Sequence, residues 1–291
     1  MATQSENKIA RKRKGGLFIP INKAHAIVEV VWFIQFLGQF PKGALIKFSS
    51  LKEELADDLP KFSEMQKLSF AITPQGSVAQ QDLGGLEFQR IKKDGSLEWM
   101  LRIQDNSISV HCLDYSRWVN SWREASTYLY KALGKIEGPE LPISLVGLKY
   151  IDRFVYDGST DQFDISHLFQ INSELLFSKA FTAGPLWHCH TGWFDDVDGS
   201  NLQCLNQLNI DATYTTIAGQ RKHTTTIDHN ALVRFPPGDD NHLQVIVGDS
   251  PNNETRLHKI MDTLHTKNKK ILGSLLTQDV SERILLKAEE T

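Results

Sequence analysis

The sequence has few cysteines, and they form no recognisable motif. Cys112, Cys189 and Cys204 are three in number and show no paired spacing. Disulfide frameworks of secreted domains use even sets of cysteines, and many zinc sites use Cys-x-x-Cys pairs. The sequence therefore predicts reduced thiols and a cytoplasmic protein, and it predicts no cofactor.

The sequence also lacks a long hydrophobic run. Its longest apolar stretch, residues 26–37, is interrupted by Glu29 and Gln35 and is shorter than the roughly 20 residues that cross a bilayer. The basic segment Lys8–Lys14 is not followed by the apolar region of a signal peptide. We therefore expect no membrane association.

Charge of one sign is scarce as well. The formal net charge is −3, with 41% hydrophobic and 23% charged residues, which favours a packed domain over a disordered chain and argues against a surface that grips nucleic acid all over. One local exception is the run Arg11, Lys12, Arg13 and Lys14. We expect a solvated tail there, with a nucleic-acid contact as the alternative.

Sequence motifs of common enzymes are absent too. There is no P-loop, dinucleotide fingerprint, zincin motif or Gly-x-Ser-x-Gly elbow. This makes the common NTPases, dehydrogenases and hydrolases poor candidates. It does not decide whether the protein is an enzyme, but it favours a protein without catalytic activity.

The sequence contains the same order of predicted strands and helices twice. A strand, an insert, an antiparallel meander and a long amphipathic helix follow one another in each half. The predicted elements are the first strand 28–36, the meander 86–91, 97–104 and 107–113, the helix 115–136, the second strand 143–156, the meander 186–194, 201–216 and 221–235, and the helix 257–275. This order predicts an α+β fold of two similar halves, each a curved antiparallel sheet with a long helix packed on one face, and suggests internal duplication. The predicted divisions are a tail at 1–22 and halves at 23–140 and 141–291.

Local signals add smaller predictions. Ser50 and Glu53 form a capping-box pattern for a short helix reaching about Phe62. The Gly- and Gln-rich segment 74–85 predicts a loop, Asp114 is a candidate helix cap, and 242–248 reads as a strand.

The segments also resemble a sporadically distributed prokaryotic family of uncharacterised proteins. The most specific motif is the mid-chain segment Gly147-Leu148-Lys149-Tyr150-Ile151-Asp152-Arg153-Phe154, which is similar to the family pattern GLrYiNri; Asp152 departs from it. The resemblance implies a bacterial cytosolic protein, and the scattered distribution of the family implies a setting in bacterial defence or toxin regulation. It implies no reaction and no catalytic residue.

The most chemically suggestive stretch is Trp187–Asp196, WHCHTGWFDD. On a strand, alternation puts His188 and His190 on one face and Cys189 on the other. Matching the apolar faces of the following strands places Ile210 opposite Ile227 and Asn209 opposite Asp228. The same reasoning places Trp193 opposite Leu202. The predicted polar face contains His188, His190, Gln207, Asn209, Asp211, Thr213, Thr224, Thr226 and Asp228.

Three interpretations of these residues remain open. The polar face, with His188, His190, Asn209, Asp211 and Asp228, is a binding surface or a plain solvated face. Alternatively, His188 and His190 bind a metal ion with Asp211 or Asp228, as in a metal-assisted hydrolase or nuclease.

A third interpretation concerns the last long helix. Arg256, Lys259 and His265 form a basic patch there that would contact nucleic acid together with the tail. The leading prediction is a non-enzymatic binding or accessory protein whose polar sheet face meets a partner, and the expected partner is a protein encoded nearby.

Overall fold

The computed structural model describes residues 17–22, 24–40, 42–73, 76–136, 141–197, 201–236, 243–248 and 255–286. In chain order the strands are β1 (Leu17–Pro20), β2 (Ile27–Phe36), β3 (Lys61–Thr73), β4 (Gly76–Ile91), β5 (Leu97–Gln104), β6 (Ser107–Cys112), β7 (Ile143–Asp157), β8 (Trp187–Asp196), β9 (Gln203–Ile217) and β10 (Gln220–Arg234). The helices are α1 (Lys42–Ser49), α2 (Leu51–Glu54), α3 (Trp118–Leu133), α4 (Leu243–Val247), α5 (Arg256–Leu275) and α6 (Gln278–Arg283). Short 3-10 turns occupy Thr160–Gln162, Ile165–His167 and Ser178–Phe181.

All the strands belong to one antiparallel sheet. Its order is β3-β4-β5-β6-β2-β7-β10-β9-β8, and β1 pairs with the end of β7. The two sheets predicted for the two halves are therefore one continuous sheet, joined where β2 pairs with β7. The sheet dominates the fold, so the predicted α+β class holds only loosely.

The long helices α3 and α5 cover one face of this sheet. Buried side chains of β2, β5, β6 and β7 pack with Trp122, Leu129, Leu257 and Leu264 in one core cluster. A second core cluster lies at the C-terminal end of α5, where Leu272 and Leu275 pack against Phe154, Ile210 and Ile227 of the sheet. The predicted helical stripes are confirmed for most of their residues, because Trp122, Ala125, Leu129 and Leu133 of α3 and Leu257, Ile260, Leu264 and Leu275 of α5 are buried. Val119, at a stripe position of α3, is instead 65% exposed.

Four local predictions are wrong. Ser50 has helical angles and makes no side-chain cap; a helix has already begun at Lys42, and Lys61 starts a strand. The predicted loop at 74–85 is largely part of the β3–β4 hairpin, whose cross-strand pairing overrides the glycines. The described part of segment 242–248 is the helix α4, which packs its Ile246 and Val247 into the core.

Asp114 does not cap the helix that follows it. Helix α3 begins at Trp118, its N-cap residue is Arg117, and no side chain caps it. Asp114 instead forms an ion pair with Lys92, 2.9 Å away.

The register at the C-terminal edge is partly as predicted. Ile210 lies opposite Ile227 and Asn209 opposite Asp228, as expected. Trp193 lies opposite Asn206 rather than Leu202, because the β8–β9 hairpin is slid by four residues. A slip by an even number keeps every side chain on its predicted face, so the division of β8 into two faces survives the error.

Candidate functional site

The sheet face opposite the helices is the place where the predicted binding residues meet. We call it the open face. Across β8, β9, β10 and β7, the register aligns His188, Asp211, Thr226 and Arg153 in one row. The next row contains His190, Asn209, Asp228 and Ile151. Apart from Arg153 and Ile151, these are all predicted residues, so these members of the predicted polar face lie together. Thr224, which was predicted to lie on the same polar face, is instead fully buried.

Charges on the open face are paired within the chain. Lys149 lies 2.9 Å from Asp228, Arg102 lies 2.6 Å from Glu87, and His111 Nδ1 lies 2.7 Å from Glu29. His188 Nδ1 is 3.7 Å from Asp211, in a pair that is more than half exposed on both sides. Arg153, on the same face, donates to Oγ1 of Thr226 at 3.3 Å. Exposed ion pairs contribute little to stability.

An apolar row crosses the middle of the open face. Phe33 lies opposite Gly147, Gly147 opposite Leu232, Leu232 opposite Leu205, and Leu205 opposite Phe194. The row thus runs over β2, β7, β10, β9 and β8. Exposure varies along the row: Phe194 is 60% exposed, Phe33 and Leu205 are half-buried, and Leu232 is 7% exposed. Among the described residues, none of the row's side chains belongs to either core cluster, so no helix packs on it.

Gly147 explains how Phe33 sits in this row. A Cβ atom on Gly147 would lie 2.2 Å from Cζ of Phe33, which is closer than any real contact. The Phe33 ring therefore lies directly on the Gly147 backbone. A glycine in a strand commonly marks such a close approach, and here it stands in the segment that carries the family resemblance.

The sequence prediction missed this row. Phe194 and Leu205 lie at the polar positions of their strands, where alternation leads one to expect hydrophilic residues. The signal in the sequence was a hydrophobic residue at a position where the alternation calls for a polar one, Phe194 in β8 and Leu205 in β9. It could be recognised as a row only with the register in hand.

The residues proposed as metal ligands are exposed and spread over two rows. Among the described residues, no group of three or more His, Cys, Asp or Glu side chains is arranged to hold a metal ion. His188 is near Asp211 alone, and Asp228 is occupied by Lys149.

The basic patch on the last long helix is not a free cationic surface. Arg256 lies over the ring of Phe235 at 5.4 Å, and His265 stacks on Trp118 with 4.2 Å between ring centroids. Lys259 is exposed. The tail residues Arg11, Lys12, Arg13 and Lys14 lie outside the described residues.

His265 is instead part of a polar cluster between the helices and the sheet. The Tyr150 hydroxyl lies 2.8 Å from His265 Nδ1. Nearby, Trp122 donates to His258 Nδ1 at 2.9 Å and Trp118 donates to Asp262 at 2.7 Å. The two tryptophans of α3 are therefore tied to α5 by hydrogen bonds, and the cluster orients the two long helices on the sheet.

Asp152 lies beside this cluster on the covered face. It is 2% exposed, and none of the described residues donates a hydrogen bond to its carboxylate. Burial raises the pKa of Asp152 from 3.8 to about 7, because a charged carboxylate loses its hydration in the core. The same burial raises the pKa of Tyr150 well above its ordinary value.

A second buried polar chain joins α5 to the edge of the sheet. His229 Nδ1 lies 2.8 Å from the side-chain amide of Asn268, and Nε2 lies 3.2 Å from Oδ1 of Asn206. Asn206 in turn donates to Asp195 at 2.8 Å. Burial lowers the pKa of His229, and this histidine links α5 to the sheet through both ring nitrogens.

The thiols are placed as alternation predicted. All three cysteines are free, Cys112 and Cys204 are buried, and Cys189 is half-buried. Burial raises the pKa of Cys112 to about 12 and that of Cys204 to about 11. Thiols held protonated in this way are poor nucleophiles.

A small cleft lies at the far end of the sheet, beside the β9–β10 hairpin. Its volume is about 170 Å³, and its walls include Tyr156, Phe163, Tyr214 and His223. Arg221 and Lys222 stand at its rim together with Asp157, and Arg221 lies over the Tyr214 ring at 4.2 Å. Burial lowers the pKa of His223.

Comparison with known proteins adds no relative. Neither the family models nor the curated proteins contain a match to this chain. The likeness of residues 147–154 to a prokaryotic family therefore remains a resemblance of motifs. Within the described part of the chain, no helix is both long and apolar enough to cross a membrane.

Proposed function

We propose that this protein is a non-enzymatic binding protein whose open face docks a protein partner. The single observation that carries the proposal is the apolar row from Phe33 to Phe194, which crosses five strands on a face without a packing layer. Apolar patches rimmed by polar groups mark interaction sites on proteins. Here the neighbouring row on the same face contains Gln207, Asn230 and Lys149, and the rows of His190 and His188 follow it.

Charge favours a protein over a nucleic acid as the occupant. Polyanions are held by cations that are free to replace counterions, whereas Lys149, Arg102 and His111 each face a carboxylate of this chain. A surface of paired charges and polar groups with an apolar centre matches the composition of protein–protein interfaces. The partner we expect presents an apolar surface surrounded by uncharged polar groups.

A setting in bacterial defence or toxin regulation belongs to this proposal as well, and it rests on the family resemblance alone. The internal duplication stays a hypothesis. It is supported by topology, since β2 and β7 both lie at the centre and each is followed by a meander and a long helix.

The test is a partner capture with matched variants. The double variant Phe33→Thr/Leu205→Thr removes two large apolar side chains of the row while keeping residues suited to strands. Ile46→Thr serves as the control, because Ile46 is 73% exposed on α1 and lies away from the open face. The full-length protein and both variants are used as bait, and captured proteins are identified and then remixed in purified form.

We expect the wild type and Ile46→Thr to bind the purified partner alike, and the double variant to bind it at least tenfold more weakly. Equal binding by all three would show that the open face is not the docking site. Binding of DNA or RNA that weakens steeply with salt, with no protein partner, would replace the proposal with the nucleic-acid alternative.

A further inference from the structure

Strand β8 forms one outer edge of the sheet, and its acidic residues, Asp195 and Asp196, stand only at its end. It runs for ten residues and pairs with β9 in an unshifted register. It contains neither lysine nor proline. Natural proteins commonly guard edges with lysine, proline, short strands or bulges, because an open edge is a template for another strand.

The opposite edge, β3, is protected in these ways. It contains Lys61 and Lys67, and its pairing with β4 is interrupted by a register shift between Met65 and Gln66. The two edges of one sheet are therefore treated differently. This difference leaves β8 as the edge that can accept another strand.

Large apolar side chains are exposed beside β8. Phe194 is 60% exposed, Leu186, which precedes the strand, is 55% exposed, and Phe177 is 40% exposed. The Phe177 ring lies 5.9 Å from that of Trp187 at the start of β8. An added strand would shield such groups from water while completing the ladder.

The sequence of β8 is complementary to itself. In an antiparallel pairing of two copies about Gly192, the residue that lies n positions before Gly192 faces the residue that lies n positions after Gly192 in the other copy. His188 then faces Asp196 of the partner subunit, His190 faces Phe194 of the partner subunit, and Gly192 faces its own copy. Opposite charges and aromatic pairs are favourable when directly opposite. All of these side chains lie on the exposed side of the strand.

We propose that two copies of this chain associate along β8 into a dimer with one continuous sheet, its twofold axis passing through Gly192. Because facing residues share parity, the open faces of both copies lie on the same side. At the seam the two apolar rows are offset by four residues, and each Phe194 lies beside the partner's His190. The dimer does not depend on the proposed protein partner, and each proposal can fail alone.

Mass in solution is the first test. The wild type is expected at twice the chain mass of 33.0 kDa in light scattering over a wide range of protein concentrations. Phe194→Lys introduces the edge protection that β3 has, and we expect it to be monomeric with an unchanged melting temperature. Ile46→Lys, on an exposed helix, is the matched control and should stay dimeric.

Covalent trapping tests the register. In a Cys189→Ser background, Gly192→Cys should form an intersubunit disulfide, since facing strand residues lie within the Cα separation that a disulfide spans. Thr191→Cys should not, because it would face its copy only diagonally, at roughly 7–8 Å. An added Cβ at Gly192 lies 3.0 Å from the Asn206 carbonyl oxygen, so His190→Cys/Phe194→Cys provides a second test of the same register.

Three results would overturn the proposal. A wild-type protein that is monomeric at all concentrations would rule out the dimer. The proposal would also be wrong if a strand of another protein, and not a second copy of this chain, paired with β8. Efficient crosslinking through Thr191→Cys, with none through Gly192→Cys or the double variant, would remove the pairing about Gly192.

Discussion

The two faces of the sheet use histidine in opposite ways. On the covered face, His229, His258 and His265 each contact groups of a helix or strand far away in sequence. On the open face, His188 and His190 are exposed at the edge of the sheet. The same residue type is thus structural where a helix layer excludes water and available for binding where none does. Exposure, rather than residue type, separates the two roles.

The largest expected effect on stability is at Asp152, which is buried on the covered face. Because burial raises its pKa from 3.8 to about 7, folding takes up a proton between those values, and stability falls as pH rises through this window. The full shift corresponds to about 4 kcal/mol. Asp152→Asn should remove this loss, so its stability relative to wild type should rise between about pH 4 and pH 7.

Denaturant unfolding at several pH values measures this difference. His223 and His229, whose pKa values burial lowers, act in the opposite sense but equally in both proteins, so the difference between the curves isolates Asp152. Asp211→Asn, on the open face, is the control and should follow the wild-type curve. A constant difference between wild type and Asp152→Asn over this range would contradict the assignment.

An intermediate effect is expected at His229. Replacing it with leucine leaves the buried amides of Asn206 and Asn268 without their shared partner. We expect a loss of roughly 2–4 kcal/mol of unfolding free energy, measured by denaturant titration. If the loss were no larger than that of His190→Leu, His229 would not be a structural link.

The smallest effect is expected on the open face. His188→Ala and His190→Ala should change the unfolding free energy by less than about 0.5 kcal/mol, because exposed side chains with weak pairing contribute little. Thermal melting of both variants beside His229→Leu provides the measurement. A large destabilisation in either would mean that the open face is packed against something in solution.

Much of the candidate site could be predicted from the sequence, but not its centre. His188, His190, Asn209, Asp211 and Asp228 were placed together because strand alternation and a hairpin constrain neighbours in sequence. The apolar row depends on β7 lying between β2 and β10, in pairings that join Phe33 to Gly147 and Gly147 to Leu232, which are distant in sequence. Hydrophobic patterns alone do not specify such neighbours.

By itself the sequence determined the face of each strand and the buried stripe of each long helix, because both follow from local periodicity. Only the tertiary structure decided that the two predicted sheets are one, that β8 slides by four residues against β9, and that His265 turns inward to Tyr150. These outcomes depend on contacts between distant segments, where packing and hydrogen bonding outweigh local preference.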